Sequence, residues 1–296
     1  MVAVLGAGVV PAETPLLRAD DLGVLRGDGI FETMHVRHGE PWLLDRHLAR
    51  MARSAQRLGI ALPPAAALTD LAGQACAAFV ASVPGPDAEA ALRLLCTRGP
   101  ESGGEPTVFA TVSDISPGLR RIRREGIVVR TATLGVPVDL RPTAPWLLSG
   151  AKTLSYAVNM ATQRWGAAAG VDDVLWVSAD GYALEAPTST LVWLDGDVLC
   201  TVPPERTGVL AGTTAAWLFD NAAELGWRTE QRLVRPELLA DTDGVWLTSS
   251  VRGVAAIRTL DGVTLPSPTS AEAPGRQTDG HGVQPGQRAG RRDVDH

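Results

Sequence analysis

Two Asp-Gly pairs, Asp180-Gly181 and Asp195-Gly196, each stand between short apolar runs. Such a pair between strand-like runs is a tight hairpin signal, because the turn needs positive φ at residues these types tolerate. The runs at 174–177, 182–186, 190–194 and 198–201 therefore read as successive strands of one meander. Other strand and helix patterns surround it. Residues 30–36 alternate like a strand, Gly39-Glu40 supplies a turn, and 41–43 starts a return. Leu44, Leu48, Met51 and Leu58 then recur at helical spacing. The Ala-rich run 70–83 reads as a second helix, and 91–96 and 108–112 as strands. Further on, 127–133 and 244–247 read as strands, 153–169 as a helix following Lys152, and 215–225 as a helix closed by Gly226. The fold class is mixed α/β (α+β), two parts meeting at a cleft, which is a preferred ligand site.

A turn at 113–118 and the cluster Arg120, Arg121, Arg123 and Arg124 mark a break. The expected organisation is a small N-terminal α/β domain over 1–115, a solvated linker over 116–126 and a larger C-terminal domain over 127–263. Residues 264–296 are rich in Pro, Gly and Ser and poor in large apolar side chains, so they read as a disordered tail. A net charge of −6 argues against a general nucleic-acid surface. Without 18 uninterrupted apolar residues, no membrane span is expected. The N-terminus lacks the basic stretch and long apolar run of a signal peptide. Cys76, Cys96 and Cys200 are odd in number and unpaired in spacing, which points to reduced thiols and a cytoplasmic protein. No histidine spacing matches a metal template, so no metal is expected.

Of the 27 basic residues, Lys152 is the only lysine; the other 26 are arginine. An amine can lose its proton and attack a carbonyl, whereas a guanidinium stays charged. Lys152 is thus the first candidate for chemistry, although most lysines are solvated. Glu185 is a carboxylate among apolar and aromatic neighbours in DGYALEAPTS; it reads equally as a strand end facing a cleft or an outward, solvated side chain. GVLAGTT (208–214) runs into a helix, so its backbone N–H groups and two hydroxyls could hold an anion, or Thr could be an ordinary cap. LTSS (247–250) offers two more hydroxyls after a strand, or a plain turn. Arg50 could face inward beside Leu48 and Met51, which would require a charged partner. An amine, a carboxylate and several anion contacts are the parts that pyridoxal phosphate requires.

RGDGIFET (26–33), LLDRHLARMARSAQRLGI (43–60), TRG (97–99), AKTLSYAVNMA (151–161), DGYALEAPTST (180–190) and GVLAGTT resemble the class IV pyridoxal-phosphate enzymes. That family holds branched-chain aminotransferases, D-amino-acid aminotransferases and 4-amino-4-deoxychorismate lyases. RGDGIFET and KTLSYAVNMA look most like the lyase in its actinobacterial form. The resemblance implies fold type IV, with a pseudo-barrel as the larger domain, and pyridoxal 5'-phosphate as cofactor. It makes Lys152 the Schiff-base lysine, Glu185 the partner of the pyridine nitrogen, and Arg50, Gly212, Thr213, Thr214 and Ser250 the phosphate contacts. By the same resemblance Tyr156 reaches the ring hydroxyl, Arg93 and Arg98 match positions used for substrate carboxylates, and Arg26 and Asp28 sit in a motif facing the active site. The implied activity is a lyase giving 4-aminobenzoate and pyruvate for folate biosynthesis; the rival is a branched-chain or D-amino-acid aminotransferase. A homodimer acting on a small carboxylate substrate is expected on the same basis. Ser155 and Thr190 depart from the Asn that many of these lyases carry.

Overall fold

The computed structural model describes residues 1–83 and 89–266. Its first sheet contains β1 (Val2–Val4), β2 (Gly8–Val10), β3 (Gly29–Arg37), β4 (Glu40–Pro41), β5 (Ala90–Thr97) and β6 (Val108–Asp114). Their order is β2-β1-β6-β5-β3-β4, with every pair antiparallel. A short helix, α1 (Leu22–Arg26), precedes β3, and α2 (Leu44–Leu58) and α3 (Ala65–Ser82) cover the sheet.

The two-residue period of β3 puts Ile30, Glu32, Met34 and Val36 on one fully buried face. They oppose Cys96, Leu94, Leu92 and Ala90 of β5. Met51, Leu68, Leu71 and Phe79 of the two helices close this core. Fully burying each such Leu or Met contributes about 1.5–3 kcal/mol. Helix α3 begins earlier than the expected position 70, and by length and composition it could cross a membrane. Its Leu68, Leu71, Ala75 and Phe79 face is instead buried against the sheet.

The stretch expected as a solvated linker is largely helical, α4 (Pro117–Glu125). Pro117 pre-sets φ in the first turn. Gly126 ends the helix at φ 73°, where a Cβ would lie 2.6 Å from the Ala256 carbonyl oxygen. Arg123 is drawn inward rather than solvated. Its Nη1 lies 3.0 Å from both Glu89 oxygens, and it donates to the Val251 and Arg252 carbonyls at 2.6 and 3.1 Å.

The second sheet contains β7 (Ile127–Thr133), β8 (Asp173–Val177), β9 (Glu185–Ala186), β10 (Ser189–Asp195), β11 (Val198–Thr201), β12 (Arg228–Gln231), β13 (Gly244–Ser249), β14 (Gly253–Leu260) and β15 (Val263–Thr264). The order is β12-β11-β10-β13-β14-β7-β8, with β9 on β10 and β15 on β14. The pairs β11–β12, β14–β7 and β7–β8 are parallel and the rest antiparallel. Both Asp-Gly turns form, with Gly181 at φ 88° and Gly196 at φ 61°. Four helices accompany this sheet: α5 (Leu140–Thr143), α6 (Ala157–Ala168), α7 (Pro204–Thr207) and α8 (Thr213–Asn221). Thr264 belongs to β15 and Leu265 is only 4% exposed, so the folded part runs past the expected boundary at 263. The rest of the expected tail, from 267, lies outside the described residues.

Candidate active site

A cavity of about 1080 Å³ lies between the sheets, lined by Phe31, Thr33 and Arg93 from the first and Glu185, Thr190 and Thr248 from the second. Lys152 enters it from an extended segment, not from the start of a helix as expected; α6 begins only at Ala157. The segment lies along β3, with the Phe31 N–H donating to the Lys152 carbonyl (3.2 Å) and the Leu154 N–H to that of Gly29 (2.8 Å). This pairing fixes the lysine backbone on the cavity floor. Its Nζ sits 4.3 Å from the Phe31 ring centroid and 5.6 Å from that of Tyr156. Burial first, then the like charge of Arg50, lowers the amine pKa to about 8, against the pull of Glu32 and Glu185. The neutral, nucleophilic amine is therefore populated near neutrality.

Glu185 faces inward on β9. Its Oε2 accepts from the Leu210 N–H at 3.0 Å, and its Oε1 lies 3.4 Å from Arg141 Nη1. Burial raises its carboxyl pKa, and these two contacts oppose that rise only in part. Arg141, on α5, carries no motif and was not singled out in the sequence.

Opposite them the cavity closes on an anion cup. Helix α8 starts at the cavity wall with Gly212 as its N-cap and no capping side chain. Thr213, Thr214 and Ser250 line the same wall, and the buried Thr214 Oγ1 has no partner among the described residues. Arg50 reaches it from α2, its charge held by Glu32 on β3: Nε and Nη2 lie 2.8 and 2.7 Å from the two Glu32 oxygens. Glu32 is in turn 2.6 Å from His47 Nδ1. Glu32 and His47 were both missed, although the signal was present. Period two puts Glu32 between Ile30 and Met34 on the apolar face, and His47 lies on the Leu44–Leu48–Met51 side of α2.

The remaining expectations divide. Arg93 stands at the cavity mouth, exposed, with Nη1 3.4 Å from Ser113 Oγ. Arg98, Asp28 and Arg26 do not line the cavity of this chain. Arg98 is engaged elsewhere, paired with Asp28 (2.6 Å) and donating to the Leu58 and Gly59 carbonyls (2.7 and 3.0 Å), so it closes the C-terminus of α2. Arg26 is exposed at the end of α1. Tyr156 lines the cavity, but its hydroxyl donates to the Pro187 carbonyl at 3.2 Å. Burial pushes that hydroxyl's pKa up to about 12.

The family model of class IV aminotransferases matches residues 29–260. The chain belongs to this family. A curated relative, the bifunctional aminodeoxychorismate lyase / D-amino acid transaminase of Mycobacterium tuberculosis, is 40% identical and aligns with 92% of this chain and 95% of its own length. A hypothetical aminotransferase of Mycobacterium tuberculosis, solved in a PLP-bound form, superposes with a TM-score of 0.90 at 40% identity, covering 94% of this chain and 97% of that one. The 4-amino-4-deoxychorismate lyase of Pseudomonas aeruginosa follows at TM-score 0.73 and 29% identity, covering 90% and 93%. Class IV aminotransferases of this fold, fold type IV, are pyridoxal-phosphate enzymes, and pyridoxal phosphate is the cofactor here. The site fits it independently of that membership. An uncapped helix end and an orphaned buried hydroxyl call for an anion, while a low-pKa amine calls for an aldehyde. Arg50, Thr213, Thr214, Ser250 and the backbone after Gly212 would hold the phosphate, Lys152 would meet the aldehyde and Glu185 the ring nitrogen.

Proposed function

We propose that the chain is a 4-amino-4-deoxychorismate lyase, releasing 4-aminobenzoate and pyruvate as a step of folate synthesis. The alignment of almost the whole chain with a relative named for that reaction carries this reading, with Lys152 and Glu185 in place. Bound pyridoxal phosphate supplies an electron sink that makes the C–H beside the substrate amino group acidic. Lys152 is the base: its Nζ, lowered to about 8, takes that proton and can hand it on to the departing enolpyruvate. Glu185, held by Arg141 and the Leu210 N–H, orients and keeps a proton on the ring nitrogen. The N-terminus of α8 and Arg50 anchor the phosphate. Arg93 at the mouth meets a substrate carboxylate. Phe31 and Tyr156, ring centroids 5.2 Å apart and edge to face, wall the lysine from bulk water.

D-Amino-acid transamination is the second reading, favoured by the second half of that relative's name and by the α-ketoglutarate and PMP bound form of the same aminotransferase. Both reactions use the same lysine and carboxylate. Incubation with aminodeoxychorismate separates them through the fluorescence of 4-aminobenzoate. Amino transfer from a D-amino acid to 2-oxoglutarate with no 4-aminobenzoate release would overturn the lyase. A homodimer belongs to the same proposal, supported by the apolar Trp146 (79% exposed), Val158 and Met160 around the cavity; sedimentation as a monomer at working concentration would refute it.

A further inference from the structure

Behind the phosphate cup lies a closed polar network. Glu32 and His47 are fully buried. His47 Nδ1 lies 2.6 Å from Glu32 Oε2, and its Nε2 lies 3.1 Å from Ser250 Oγ and 3.2 Å from Thr213 Oγ1. The two hydroxyls are themselves 3.2 Å apart. Arg50 grips both Glu32 oxygens and donates its Nη1 to the Ala211 carbonyl at 2.9 Å.

Two counts of this network fail for a phosphate dianion. The first is charge. Arg50 and Glu32 cancel, so the pair offers no net positive charge, and the end of α8 adds only about half a charge. The second is hydrogen bonding. Glu32 is held ionised by Arg50, at a pKa of about 2, and an ionised carboxylate only accepts. The proton between it and His47 therefore sits on Nδ1, and in the neutral ring Nε2 is a lone pair. That lone pair takes a hydroxyl proton from Thr213 or Ser250, which turns the hydroxyl's own lone pairs toward the cup. One added proton repairs both defects. With Nε2 protonated the ring is a cation, Nε2–H donates to a hydroxyl oxygen, and both hydroxyl protons are free to turn to the phosphate.

We propose that filling the cup with a phosphate group takes up one proton from solvent at His47 Nε2, so that dianion and imidazolium are bound together. Burial holds the ring below the ordinary histidine range, which supplies the neutral starting state. The charged groups facing it are Glu32 of β3, Arg50 of its own helix and Lys152 of the segment beside β3; the first favours the cation and the other two oppose it. The incoming phosphate tips this balance. The coupling is independent of whether the loaded enzyme is a lyase or a transaminase.

Nitrogen NMR of ¹⁵N-histidine protein tests it, comparing apoprotein and holoenzyme at about pH 8, where a phosphate monoester is already dianionic. The His47 ring, identified by its loss in His47→Gln, is expected to change from singly to doubly protonated on loading. If that variant does not fold, Ser250→Ala marks the ring, because only the imidazole touching Oγ shifts. A ring neutral in both states, or doubly protonated in both, overturns the proposal. Calorimetry in buffers of different ionisation heat gives a second reading. Pyridoxal phosphate should take up about one proton more than unphosphorylated pyridoxal. Equal uptake also overturns it.

Discussion

Two carboxylates serve the same cavity, each facing an arginine, and they are held in opposite ways. Glu32 is gripped at both oxygens by Arg50 and touched by His47, all within 2.8 Å. Despite complete burial its pKa falls to about 2. Glu185 has one backbone N–H at 3.0 Å and a single arginine nitrogen at 3.4 Å, and its pKa rises. The same burial gives opposite outcomes because the number and closeness of charge-assisted contacts differ. Glu32 is a finished counter-ion. Glu185 keeps capacity for a further positive partner, which a protonated ring nitrogen would supply. A satisfied carboxylate holds machinery in place; an unsatisfied one is where a ligand belongs.

Lys152 feels the charge of both, and removing its amine has the largest expected effect. Lys152→Arg keeps the charge and should lower turnover by about a thousandfold or more, with loss of visible cofactor absorbance after borohydride-free dialysis. An active Lys152→Arg enzyme would refute the mechanism. Next comes Glu185→Gln, which keeps the shape but not the ability to retain a ring proton. Turnover should fall by about a hundredfold with the melting temperature little changed, since the wild-type carboxylate is not firmly satisfied. Glu32→Gln should reverse that pattern. It strands Arg50 and His47 without their counter-ion and should cost about 3–5 kcal/mol in denaturant unfolding, with weaker cofactor retention. Equal behaviour of the two glutamine variants would erase the contrast.

A smaller effect concerns pH. Only the neutral Lys152 amine captures a carbonyl compound, and its pKa is about 8. Trapping of unphosphorylated pyridoxal on the apoprotein should thus rise about tenfold from pH 7 to 9 and level off above. An inflection near the ordinary lysine value would show that burial does not act on this amine. Arg141→Met is expected to change least, slowing turnover by severalfold while pushing the Glu185 carboxyl further up, seen as a shifted acid limb of the rate profile.

Local sequence signals carried the hairpins, the inward face of α2 and the choice of Lys152 and Glu185, which do line one cavity, because each depends on residues adjacent in the chain. Two features depend on distant partners and differ from the expectation. The 116–126 stretch reads as a charged linker until Glu89 and the Val251 and Arg252 carbonyls are there to receive Arg123. The segment after Lys152 carries a helical pattern, but pairing with β3 keeps its first residues extended. Strand β14 also escaped notice; its Ala-Ala centre and Arg258 blur the alternation that marks a strand.

The departure at Thr190 has its own consequence at the mouth of α8. A Cβ at Gly212 would lie 2.2 Å from Thr190 Oγ1 and 3.1 Å from its Cβ. The threonine already fills the space into which a side chain at 212 would grow. A mutational path that replaces this glycine first needs a smaller side chain at 190, and a path taken in the other order passes through a protein in which the new side chain collides with Thr190. The two positions, 22 residues apart in the chain, are bound to a fixed order of change.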